Sequence, residues 1–211
     1  MLLGVDYVAS IAETRKETGR IEAFSDGVFA FAITLLVLYL KDPFPNGGGN
    51  LLLGLVNQWP TFFAFVTSFM TILIMWVGHH EMFNYVVRAD RRFMFLNGFL
   101  LFFVTLTPFT TSLVADHIVS SDSNTAAAVY SASFLLLGVA WNFVWRYASG
   151  PHKLFSRDLS AAELKIFTRN FYVGPISYAA ALLIAFVSGI ASVALILAVA
   201  VFYAVGSRSQ R

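Results

Sequence analysis

Arg20-Ile-Glu-Ala-Phe-Ser-Asp26 runs without a break into Gly27-Val-Phe-Ala-Phe-Ala-Ile-Thr-Leu-Leu-Val-Leu-Tyr-Leu40. The second part carries no charge and reads as the body of a membrane helix, which needs about 20 mostly apolar residues to cross a bilayer. The first part holds Arg20, Ser25 and Asp26 at its threshold. An ionisable side chain at the centre of such a helix costs about 2.5–3.5 kcal/mol. Nearer the interface the cost is smaller, but the groups still need partners. The septet therefore marks a place of assembly or function.

Working outward, the rest of the chain has the same character. Of its 211 residues 58% are hydrophobic and 12% charged, with 22 Phe, where soluble domains carry about 25% charged residues. Six apolar runs are long enough to be read as spans: 22–40, 55–78, 93–115, 125–147, 167–188 and 190–206. The last two are parted only by Ser188-Gly189. The expected fold is an all-α integral membrane protein, a single six-helix transmembrane domain over 1–211. Between spans, 43–50 reads as a flexible external loop and 149–165 as an internal loop with a short amphipathic helix.

Orientation follows from the basic residues. With six spans and an internal N-terminus, Arg15, Lys16, Arg20, Arg88, Arg91, Arg92, Arg146, Lys153, Arg157, Lys165, Arg169, Arg208 and Arg211 all lie inside. Lys41 is the single one of the 14 left outside. That is the positive-inside pattern, and it puts both termini in the cytoplasm. The basic residues face lipid headgroups, so no nucleic-acid partner is implied. Residues 1–10 lack a basic segment and an apolar core, so a cleaved signal peptide is not expected.

Several chemistries find no support. There are no cysteines, so disulfides and thiolate metal sites are excluded. His79, His80 and Glu81 are consecutive and point about 100° apart on a helix, so they do not converge on one ion. The His-Glu-x-x-His arrangement is absent. Gly47-Gly48-Gly49 lacks the Lys-Ser/Thr of a phosphate loop, and no Ser/His/Asp spacing stands out. The chain is not read as an enzyme, and neither a metal nor a cofactor is expected.

Topology places polar residues at one depth. Span 1 runs outward from Arg20, Ser25 and Asp26. Span 2 runs inward to Trp76-Val-Gly-His-His-Glu81, and span 3 starts outward again with Asn97 one turn in. Polar groups of three helices meet at one level, where lipid offers no partner. Arg20 and Asp26 are not i, i+4 neighbours, so their partners are expected from Trp76, His79 or His80, and Asn97. A plainer role exists for most: solvation at the helix end for His80 and Glu81, an interfacial position for Trp76, helix packing for Asn97, snorkelling for Arg20. Asp26 is too short to snorkel far.

Within span 1, Gly27, Phe31, Thr34 and Leu38 follow i, i+4, i+7, i+11 and form one stripe, with Arg20 near it. If copies of this helix surround an axis, the stripe makes an apolar ring, a hydroxyl ring and a second apolar ring. Apolar constrictions gate by dewetting, and a hydroxyl ring replaces part of an ion's hydration. The plain alternative is an ordinary apolar helix whose Thr34 bonds its own backbone.

Arg20-x-x-x-Phe24-Ser25-Asp26, followed by Gly27-Val and Ile33-Thr34-Leu35-Leu36-Val37-Leu38, resembles the signature of the transmembrane protein 175 family. These are endosomal and lysosomal potassium channels with single-repeat bacterial relatives. The Trp76…His79-His80 end of span 2, the Asn97 region and Thr107-Pro108-Phe109 are similar too. The last three spans are alike only in hydropathy. The resemblance implies a homotetramer of six-helix subunits in a bacterial plasma membrane, with the first helix lining a pore for monovalent cations, potassium foremost. It implies that Phe31, Thr34, Leu35 and Leu38 set constriction and selectivity, Thr34 matching a threonine used in ion selectivity. It also implies that Arg20, Phe24, Ser25, Asp26, Trp76, His79, His80 and Asn97 form a structural network near the cytoplasmic mouth. Phe31 departs from the family, where Ile or Leu is usual. The Thr-Val-Gly-Tyr-Gly filter of other potassium channels is absent here, as in the family.

Two rivals belong to other classes. A proton-coupled secondary transporter would use Asp26 and His79 as relay groups, but spans 4–6 hold no second copy of the signature such as a repeat-built transporter would carry. A non-conducting membrane scaffold would assemble without flux.

Overall fold

A computed structural model describes residues 2–44, 46–151, 154–155 and 160–206. Lys153, Arg157, Arg208 and Arg211 lie outside the described residues, as do the side chains of Arg15 and Lys16. The chain is helical: α1 Leu2–Leu36, α2 Leu51–Asn57, α3 Trp59–Phe83, α4 Arg91–His117, α5 Ser123–Ser149, α6 Ala161–Ala185 and α7 Gly189–Gly206.

The helices begin and end for local reasons. Asn50 caps α2 by accepting from Leu53 N at 3.1 Å, and Asp90 caps α4 through Phe93 N at 2.8 Å. Ser160 and Glu163 form a reciprocal capping box at the start of α6, satisfying amides that lack intrahelical partners. The second expected span is in fact two helices, parted at Gln58 with Pro60 at the start of α3. Proline suits a first helical turn because it has no N–H to satisfy there. The first helix starts well before residue 22, and its end tightens into a 3-10 turn at Val37–Tyr39. The external loop turns on Gly47, Gly48 and Gly49, with φ of 75°, 93° and 90°, values that other residues rarely adopt.

Among the described residues five segments are long and apolar enough to cross a bilayer: Glu17–Tyr39, Trp59–Phe83, Arg91–His117, Ser123–Ser149 and Gly189–Gly206. The run expected at 167–188 falls on α6, which is less apolar because Arg169, Asn170, Tyr172, Pro175 and Tyr178 interrupt it.

In the bundle α5 packs against α4, α6 and α7, and α3 against α4 and α7. Its centre holds Tyr130, Phe134, Leu137, Trp145, Leu100 and Ile196, all buried. The outer surface is apolar as well, with Phe95, Phe102, Phe109, Ile176, Leu183 and Val187 uncovered, as suits surroundings of lipid or further subunits. The α3–α4 and α5–α6 connections meet at one end, where Val87 N donates to Leu154 O at 2.9 Å and Val86 bridges Phe155. The first helix is peripheral. It packs on α3 and α4 and leaves its other side open.

Candidate functional site

The open side of α1 is the stripe read from spacing. Ser25, Phe29, Ala32 and Leu36 are buried against α3 and α4, and they too follow i, i+4, i+7, i+11. Half a turn away stand Gly27, Phe31, Thr34 and Leu38, all exposed. Phe24, Phe31 and Leu38 are 65%, 63% and 65% accessible, so large apolar side chains stand uncovered along one line. Leu35 is half-buried at the margin. Leu38 lies in the 3-10 turn, whose three residues per turn carry it about 40° beyond its place on a continued α-helix. Thr34 Oγ1 donates to Phe31 O at 2.8 Å. Its proton therefore points along the helix, and its oxygen lone pairs remain available on the open side.

What holds this face outward is a chain of hydrogen bonds on the inward face. Ser25 Oγ donates to Ile21 O at 2.8 Å and accepts from Asn97 Nδ2 at 2.9 Å. Asn97 Oδ1 lies 2.9 Å from His79 Nε2. With the Asn97 amide donating to serine, its oxygen faces the histidine, which assigns the imidazole proton to Nε2. Ser25, His79 and Asn97 are buried. Phe29 and Phe83 pack on the imidazole at ring distances of 5.4 and 4.6 Å, so lipid and water are kept from the chain. A fully donor-to-acceptor sequence in a low-dielectric interior is where such bonds are strongest.

A second pair of contacts runs beside it. Trp76 Nε1 donates to Asp26 Oδ1 at 2.9 Å, and one turn nearer the helix end His80 Nδ1 meets Glu22 Oε1 at 2.9 Å. Glu22 was not among the residues singled out from sequence. The signal was present: Glu22 and Asp26 are four apart, as are Trp76 and His80, so two antiparallel helices match them pair for pair. Arg20 is exposed and makes no ion pair among the described residues. Glu81 is likewise exposed. No group of three His, Cys, Asp or Glu gathers round one point among the described residues.

On its open side α1 borders a groove of about 410 Å³ shared with α4, lined by Ala23, Phe24, Gly27, Val28, Phe31 and Thr105. The site thus has an inward polar anchor and an outward apolar face with one hydroxyl, carried by the same helix.

The profile of the endosomal/lysosomal potassium channel TMEM175 matches residues 20–108. These span the anchor and the stripe. A potassium channel of Chamaesiphon minutus is 40% identical over 200 residues, covering 94% of this chain and 98% of that one. The human endosomal/lysosomal proton channel TMEM175 is 39% identical over 93 residues, 40% of this chain and 18% of its own. Among solved structures, the crystal structure of a lysosomal potassium-selective channel TMEM175 homolog from Chamaesiphon minutus superposes with a TM-score of 0.80. It is 40% identical and the match covers 93% of this chain and 100% of that one. With its signature helix, its fold and nearly its full length shared in this way, the chain belongs to the TMEM175 family of channels.

Proposed function

We propose that the protein is a potassium-preferring cation channel, a homotetramer of six-helix subunits in which four copies of α1 surround the pore. The carrying observation is the uncovered stripe Gly27, Phe31, Thr34, Leu38 opposite a polar anchor. A lipid-facing helix gains nothing from having its rotation held by a buried chain of hydrogen bonds, whereas a pore-lining helix needs its register held. The names of the bacterial relative and of the solved homologue, a potassium channel and a potassium-selective channel, support the same conclusion.

In this arrangement Phe31 makes the narrow apolar ring, where water leaves readily and an ion meets a barrier. Thr34 presents hydroxyl oxygens to a partly dehydrated cation, Leu38 lines the outer side, and Leu35 supports the ring from behind. Arg20 sits at the cytoplasmic mouth. Neighbouring copies close over the α1–α4 groove and cover Phe24. All six long helices cross the membrane, α6 included, both termini are cytoplasmic, and the membrane is the plasma membrane of a bacterium. The channel works without a cofactor, and potassium is what it carries.

Purified protein in liposomes with a potassium gradient tests this. Potassium flux through a tetramer is the expected result. A stable tetramer with no cation flux would be a scaffold, and saturable uptake that needs a proton gradient would be a transporter; either outcome overturns the proposal.

A further inference from the structure

The outer face of α5 and α6 carries a built groove that belongs to neither the stripe nor the anchor. Pro175 interrupts α6 and has no N–H to donate to Phe171 O, the acceptor four residues back. Asn142 of α5 repairs this: its Nδ2 donates to Phe171 O at 3.0 Å and to Gly138 O at 2.9 Å. Gly138 lets the proline ring come close, since a Cβ there would stand 3.0 Å from Pro175 Cγ. The helices are locked together, and beside the lock opens a groove of about 190 Å³ lined by Val139, Asn142, Phe143, Arg146, Tyr172 and Pro175. Asn142 Oδ1 is buried in this wall with no hydrogen-bond partner.

One end of the groove is cationic. The Arg146 guanidinium lies 5.3 Å above the Tyr172 ring, which holds it over the groove. Along α6, Lys165, Arg169, Tyr172 and Ile176 follow i, i+4, i+7, i+11, so two further cations share the tyrosine's face before the stripe turns apolar. Among the described residues no carboxylate pairs with Arg146, Lys165 or Arg169. The other end is Val139, Phe143 and Pro175, with Val139 and Phe143 open to the surroundings of the bundle.

We propose that this face binds an anionic phospholipid. Its phosphate is held by Arg146 and Arg169 above Tyr172, and an acyl chain lies along Val139, Phe143 and Pro175. Guanidinium groups suit phosphate oxygens through paired N–H donors. A soluble anion would satisfy the cations but leave the apolar half of the groove unfilled, whereas an amphiphile matches both ends. The proposal rests on α6 lying in the membrane and on nothing in the conduction path.

The test is native mass spectrometry of the full chain in non-ionic detergent with phosphatidylglycerol or phosphatidylcholine added. The wild type is expected to retain phosphatidylglycerol preferentially, and the pair Arg146→Gln/Arg169→Gln to lose that preference roughly thirtyfold, as removal of two cations near the membrane surface implies. Arg88→Gln/Arg92→Gln, an equal loss of charge elsewhere, is expected to keep it. Unchanged retention by the first pair, an equal loss in the second, or displacement by inorganic phosphate alone would overturn the proposal. Photo-crosslinking of the wild type with a diazirine-bearing phosphatidylglycerol needs no variant. Label on 139–146 or 172–176 is the expected result, and label only elsewhere refutes the site. Neither experiment reads ion flux, so its outcome is separate from that of the channel assay.

Discussion

Asn97 of α4 holds Ser25 of α1 at 2.9 Å through its amide nitrogen, with the other end of the same amide 2.9 Å from His79. Ser25 lies half a turn from the Gly27–Phe31–Thr34 stripe. One short side chain on α4 therefore fixes which face of α1 is left open, and small rotations of α1 have to break or carry this contact.

Asn97→Leu is expected to strand the His79 Nε2 proton in the interior and to leave Ser25 Oγ with only its bond to Ile21 O. An unsatisfied buried polar group costs about 1–3 kcal/mol. The thermal midpoint of the detergent-solubilised protein should fall by several degrees. A midpoint equal to wild type would show that the contact does not hold the helix.

Asp26 should depend on its acceptor oxygen more than on its charge where stability is concerned. Asp26→Asn keeps an oxygen for Trp76 Nε1, whereas Asp26→Ala and Trp76→Phe each remove the 2.9 Å bond. A hydrogen bond to a charged group contributes about 1.5–3 kcal/mol, and the partial burial here puts the effect at the lower end. Oligomer recovery after heating should rank wild type, then Asn, then Ala.

The stripe makes separate predictions for its two kinds of side chain. In the proposed pore, Phe31→Ala is expected to widen the apolar ring and raise potassium flux severalfold, because nothing within its own subunit covers this side chain. Thr34→Ala should change the potassium-to-sodium permeability ratio, and Thr34→Ser should preserve it. Reversal potentials under bi-ionic conditions measure both, and a Thr34→Ala ratio equal to wild type would remove the hydroxyl from the selectivity account.

Gly138→Ala should pry α5 from α6. The new Cβ would meet Pro175 at 3.0 and 3.3 Å, and overpacking of this kind costs about 1–3 kcal/mol. Lower thermal stability in detergent, with the α1 anchor chemically intact, is the expected result.

The cap of α6 gives a pH dependence. Hydrogen bonds from the Ser160 hydroxyl, then from its backbone N–H, hold the Glu163 carboxyl below its ordinary value. A carboxylate with a depressed folded-state pKa stabilises fully above the ordinary glutamate range and loses that contribution as pH falls through its folded value. Amide protection in the first turn of α6 should therefore drop on acidification, and Glu163→Gln should flatten the response.

Much of this architecture is legible in the amino-acid sequence. The helical class follows from apolar runs that only helices can carry through lipid, because every backbone amide there needs an internal partner. The stripe follows from the 3.6-residue period alone, and a shared depth for Ser25, Trp76, His79 and Asn97 follows from counting spans. The period, however, does not distinguish the two faces of α1, since Ser25–Phe29–Ala32–Leu36 repeats as regularly as Gly27–Phe31–Thr34–Leu38. Only packing against α3 and α4 decides which is inside.

The tertiary structure likewise decided the partners. Depth allows His79 or His80 to meet the septet, and it is helix rotation that sends His79 to Asn97 and His80 to Glu22. Chain-local patterns cannot encode rotation, because it is set by side chains from other helices. The same holds for Asn142 and Phe171, 29 residues apart: Pro175 announces a carbonyl without its usual donor, but the group that satisfies it comes from the neighbouring helix. What the sequence by itself determined was composition, period and depth, which are properties of single helices. Rotation, partner choice and the open face arise from contacts between helices, and those only the folded bundle decided.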